Sequence, residues 1–143
     1  MFKQMGFKAR LWALLLVVSL LIFPASASAG RTVVQKGSMF VPPAATETYT
    51  LTVGRVSVSI PPGAMPEGGR ILLQVRNKDG WFQAKFSPDR EFQVPVIMDF
   101  GEAEVVYYHE GREIVPIVTE DLDGDGAVGE IASMHFSRYS GFY

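Results

Sequence analysis

The sequence predicts an all-β protein, an antiparallel β-sandwich of about eight to ten short strands behind an N-terminal signal peptide. From Thr48 onward, apolar and polar residues alternate with a period of two and β-branched side chains dominate the apolar positions, the pattern of strands with one buried face. Turn-forming clusters of Pro, Gly, Asn and Asp separate these runs at short intervals, as in a sandwich. No segment of the mature chain carries a sustained helical period.

The leader comes first. Lys3, Lys8 and Arg10 precede an uncharged run from Leu11 to Phe23, followed by Pro24 and the small residues Ala25 to Ala29. This is the pattern of a secretory signal peptide over residues 1–29, with Ala27 and Ala29 in the small-x-small arrangement that places the new N-terminus at Gly30. The apolar run has 13 residues, fewer than the roughly 20 that span a bilayer, so a cleaved leader fits better than a retained anchor. The expected location is secreted or extracytoplasmic, in a periplasm or at a cell surface, with no stable membrane insertion once the leader is gone.

Residues 30–47 read as a loosely structured lead-in with one short strand at Met39 to Val41, stopped by Pro42-Pro43. The sandwich domain then covers 48–143. Tyr49, Leu51 and Val53 alternate with threonines, and Val56, Val58 and Ile60 continue the alternation after Gly54. Further strands are expected near 70–76, 81–86, 92–100, 104–109, 113–118, 128–136 and 138–142. Asn77 to Gly80 and Glu110-Gly111 are hairpin turns. Pro95 and Pro116 fall inside strand patterns, which places those strands at edges or gives them bulges. In the run from Trp81 to Phe86, Phe82, Ala84 and Phe86 share the buried face and Trp81, Gln83 and Lys85 the other, which leaves Trp81 as a candidate contact residue for a ligand.

Three of the 13 basic residues lie in the leader and none of the 15 acidic ones do, so the chain from Gly30 on has a net charge of −5. That balance argues against nucleic acid or anionic lipid as a partner and suits a surface that binds cations. The chain has no cysteine. An exported fold without disulfides relies on its core and, where present, on a metal.

Two strings stand out together, VSVSIPPGAMPEGGRILLQV at 56–75 and SMHFSRY at 133–139. With them the chain resembles the ZU-five domain, the β-sandwich shared by zonula occludens proteins, netrin receptors and ankyrins, with similar domains in exported microbial proteins. The Ile-Pro-x-Gly-Ala signature of that family is matched by Ile60, Pro61, Gly63 and Ala64, and the runs at 86–100 and 104–117 fall where the family would place them. The resemblance implies a sandwich and a non-enzymatic module for protein or cell-surface binding or structural support, with an unknown partner.

Two constellations carry candidate chemistry. In DLDGDG, Asp121, Asp123 and Asp125 alternate and Gly126 follows, the first half of an EF-hand loop, with the Ala127 carbonyl as a further ligand and Glu130 as a nearby acid. Position twelve is Ala132 rather than the usual bidentate acid, so calcium stands beside a plain hairpin tip between strands 113–118 and 128–136 as a second reading. Calcium here would bind weakly, at about 0.1 to 1 mM.

The second constellation is His135-Phe136-Ser137. Some proteins with a ZU-five domain cut their own backbone within such a string. The resemblance then implies that the Ser137 hydroxyl attacks the Phe136 carbonyl, with His135 moving the proton, to give an ester that water opens. The alternative is an ordinary strand with a buried aromatic. A zinc site would have only His109 and His135, too far apart to pair by spacing, and His109 reads as an exposed hairpin residue. No nucleophile elbow, zinc-protease helix motif or phosphate loop is present.

Overall fold

A computed structural model describes residues 30–143, and the leader expected over 1–29 lies outside them. Ten strands follow in chain order: β1 (Val33–Val41), β2 (Tyr49–Val53), β3 (Val56–Ile60), β4 (Gly69–Lys78), β5 (Trp81–Ser87), β6 (Glu91–Asp99), β7 (Val105–Glu110), β8 (Glu113–Val118), β9 (Glu130–His135) and β10 (Arg138–Phe142). They form a six-stranded sheet in the order β1-β4-β5-β10-β7-β8 and a four-stranded sheet in the order β2-β3-β6-β9, with all pairings antiparallel. No helix occurs among the described residues. The two sheets face each other as the β-sandwich the alternation predicts.

Period-two patterning decides what lies between the sheets. Ile71, Leu73 and Val75 of β4, Phe82, Ala84 and Phe86 of β5, Val56, Val58 and Ile60 of β3, and Val96 and Met98 of β6 all point inward and are buried. An aromatic cluster fills the centre: Phe86 stacks on Phe136 at 5.4 Å and meets Tyr139 edge-on at 5.9 Å, while Phe92 meets Phe136 at 4.7 Å and Phe100 meets Tyr139 at 5.3 Å. Rings at these separations add about 0.5–1.5 kcal/mol per pair beyond the area they bury.

The turns follow their residues. At the β4–β5 hairpin, Asp79 and Gly80 have φ of 51° and 81°, the left-handed pair a two-residue type I′ turn requires. After β3, Pro61 and Pro62 supply no amide to continue the ladder; Ala64 donates to the Pro61 carbonyl at 3.2 Å, and Ala64 and Met65 fold over the core at 2% and 6% exposure. Both strand prolines sit as their missing donors demand. Pro116 is on β8, the edge of the larger sheet, and Pro95 lies where β6 loses register against β9, between the pairs Glu91–His135 and Val96–Ser133.

Three expectations are corrected. Residues 33–41 are no loose lead-in: β1 pairs along its whole length with β4, because Met39 and Val41 turn onto the core while Gly37 lets the strand pass close to Leu51 and Val53 of β2. The acidic loop is no hairpin tip, since β8 and β9 belong to different sheets and residues 119–129 cross between them. His109 is half-buried rather than exposed, because its Nε2 lies 2.8 Å from the buried Ser140 hydroxyl of β10.

Candidate metal centre

The crossover from β8 to β9 is built on aspartates that fold the backbone around themselves. Asp121 Oδ1 accepts from the amides of Gly124 at 2.8 Å and Asp125 at 3.1 Å, and its Oδ2 accepts from Gly126 at 2.9 Å. Asp123 Oδ1 takes the Asp125 amide at 3.0 Å, and Asp125 Oδ1 takes the Ala127 amide at 2.8 Å. Short acidic side chains that hydrogen-bond their own backbone a few residues on are what Asp-x-Asp-x-Asp-Gly provides. The loop therefore turns its carboxylates inward on one point.

Glu130 closes the group from the first position of β9. One oxygen each of Asp121, Asp123, Asp125 and Glu130 lie within 4.8 Å of one another. The aspartates are exposed, whereas Glu130 is buried at 4% exposure. Its Oε2 accepts the Leu122 amide at 3.0 Å, and its backbone pairs with Glu120 in both directions, at 2.9 and 3.1 Å. Across the ladder it stands directly opposite Asp99. Burial, first, and then the neighbouring Asp123 and Asp99 carboxylates push the Glu130 carboxyl above its ordinary range, against the Leu122 hydrogen bond that pulls it down.

The preceding residue holds Glu130 in place. Gly129 has φ of 124° and gives its carbonyl to the Phe100 amide at 2.8 Å, and a Cβ there would collide with the Gly101 carbonyl oxygen. Only glycine lets the chain pass this close to the end of β6.

A buried carboxylate with acids opposite and beside it, and no cation paired to it among the described residues, is costly unless a proton or a metal ion joins it. All the candidate ligands are oxygens, the preference of a hard cation such as calcium. Of the ligands expected from the sequence, the structure brings together Asp121, Asp123, Asp125 and Glu130; Ala127 contributes its amide to Asp125. Spacing alone puts Glu130 two residues before the EF-hand position, and the crossover between sheets is what returns it to the aspartates.

The other candidates are placed differently. Phe136 and Ser137 form the two-residue link by which the chain leaves β9 in one sheet and enters β10 in the other. Phe136 is buried at 4% exposure, and its amide donates to the Arg90 carbonyl at 3.1 Å. The Ser137 hydroxyl donates to the His109 carbonyl at 3.2 Å, and the exposed His135 ring lies 5.5 Å from the Tyr108 ring. Trp81 starts β5 half-buried, beside Lys78 on one strand and Phe142 on the other, rather than fully exposed as its face had implied.

Comparison of the chain with protein-family models, with curated proteins and with solved structures finds no match in any of the three, so the ZU-five resemblance rests on the strings at 56–75 and 133–139 and the runs between them.

Proposed function

We propose that this chain is an exported, non-enzymatic β-sandwich module that works by binding at a cell surface, and that a calcium ion held by Asp121, Asp123, Asp125 and Glu130 staples its two sheets. The observation that carries the calcium reading is the buried Glu130 carboxylate, opposite Asp99 and within 4.8 Å of three aspartates, with no cation paired to it among the described residues. An ion there ties the crossover after β8 to the start of β9. In a chain without cysteine, this is the constraint that a disulfide supplies elsewhere. The binding role is supported by the leader and by the ZU-five resemblance.

Calorimetry in chelator and in calcium tests the site. With an affinity of about 0.2 mM, about 2 mM calcium should stabilise the fold by about 1.4 kcal/mol and raise its melting temperature by about 5 °C. Asp123→Ala and Glu130→Gln should each abolish the shift. In chelator, Glu130→Gln should melt higher than the parent, because it removes a buried charge facing other acids. An unchanged melting temperature at about 5 mM calcium refutes the reading.

A further inference from the structure

The outward face of the six-stranded sheet is cationic, although the chain from Gly30 on is net acidic. Strand register sets this out. Lys36 of β1 lies opposite Gln74 of β4, Gln74 opposite Lys85 of β5, Lys85 opposite Arg138 of β10, and Arg138 opposite His109 of β7. These residues form one row across five strands, spanning about 19 Å at the usual strand spacing. Arg70, Arg76 and Lys78 of β4 point the same way, so six of the ten Lys and Arg residues after Gly30 share this face, and all six are exposed.

No outward position on these six strands holds a carboxylate. The acids stand around the rim: Asp79 in the hairpin turn, Asp89 after β5, Glu102 and Glu104 before β7, and Glu110 and Glu113 at the β7–β8 turn. Among the described residues no ion pair within 4.0 Å neutralises the row. Like charges directly opposite on adjacent strands destabilise a sheet, and Lys85 facing Arg138 is such a pair. A local rule broken without compensation inside the fold marks a surface shaped for something outside it.

The row also has a recess. Lys85, His109, Ser137 and Arg138 line a hollow of about 290 Å³ together with the rim acid Asp89, so the hollow marks where the cationic row meets the rim. At the other end of β5, Trp81 sits half-buried between Lys78 and Phe142, an aromatic surface beside the charges.

We propose that this sheet face binds an acidic polysaccharide, with Lys36, Lys85 and Arg138 meeting successive anionic groups and Trp81 packing on a sugar ring. A single flexible strand fits within the cationic row and clear of the acidic rim. A membrane or a long duplex, by contrast, would press against that rim and against the net charge of −5. The proposal supplies a ligand class for the binding role above and does not depend on calcium, since the acidic loop lies beyond the edge strand β8.

The test uses the chain from Gly30 on, in which Trp81 is the only tryptophan, so its fluorescence reports binding. Polygalacturonate and dextran sulfate should change the emission and bind with an affinity that falls steeply with salt, while neutral dextran should not bind. The double variant Lys85→Gln, Arg138→Gln should bind at least about tenfold more weakly with a shallower salt slope. It should also melt about 1 to 3 °C higher, because the opposed charges are gone, which separates lost binding from lost folding. Equal binding by the parent and the double variant overturns the proposal. So does equal binding of neutral dextran, and so does tighter binding to a single-stranded DNA oligomer or to phosphatidylglycerol vesicles than to either acidic glycan.

Discussion

The C-terminal Tyr143 packs its ring on Phe82 at 4.8 Å under the Arg55 guanidinium at 4.7 Å, yet its hydroxyl is buried without a hydrogen-bond partner among the described residues. An unsatisfied buried hydroxyl costs about 1 kcal/mol or more, whereas the stack needs only the ring. Tyr143→Phe should therefore raise the melting temperature by about 4 °C, and thermal unfolding of the two proteins side by side checks it. His109 shows the converse, a polar group that has its partner at Ser140. Burial, and then the Arg138 charge, hold its imidazole below the ordinary 6.5. The folded chain then binds fewer protons at this site than the unfolded chain, so the site's contribution to stability is whole above about pH 6.5 and is lost as the pH falls through the folded-state value. His109→Gln keeps a donor near the Nε2 position and cannot titrate. Melting temperatures of parent and variant should run parallel above pH 6.5 and diverge below it, with the parent falling faster; parallel curves throughout would refute the assignment.

At the scale of elements, the strands were legible because each writes its own burial in period two, and the prolines at 95 and 116 announced a bulge and an edge through the donor they lack. Register across the sandwich was not legible. β1 has exposed valines at 33 and 34 and a glycine at 37, and its place beside β4 comes from partners 28 to 44 residues away. The acidic loop shows the same limit. Its aspartates form a local string, but whether it closes a hairpin or joins two sheets depends on which neighbours β8 and β9 choose, and that choice brings Glu130 into the cluster. The cationic row was hidden for a related reason. Lys36, Lys85 and Arg138 are scattered in sequence and outnumbered by acids, so net charge masks a segregation that only strand pairing reveals.

At the scale of the whole molecule, the last strand carries more than its length suggests. β10 lies between β5 and β7 in the middle of the larger sheet, and Phe136, just before it, anchors the aromatic core to Phe86 and Phe92. A cut at Phe136-Ser137 would leave residues 137–143 held by two ladders of backbone hydrogen bonds and by buried Tyr139, so a cleaved chain would stay assembled and look native. Only a denaturing measurement separates the two states. The chemistry needs a base on the Ser137 hydroxyl, and that hydroxyl donates to the His109 carbonyl while the His135 ring lies against Tyr108 at the surface. The bond is therefore expected to remain whole, and Ser137→Ala to leave the mass pattern unchanged apart from the lost oxygen. Denatured mass spectrometry of protein from an exporting host should give one species from Gly30 to Tyr143. A species ending at Phe136, with a peptide beginning at Ser137 that disappears in Ser137→Ala, would make backbone cleavage a real activity of this fold and Ser137 its nucleophile.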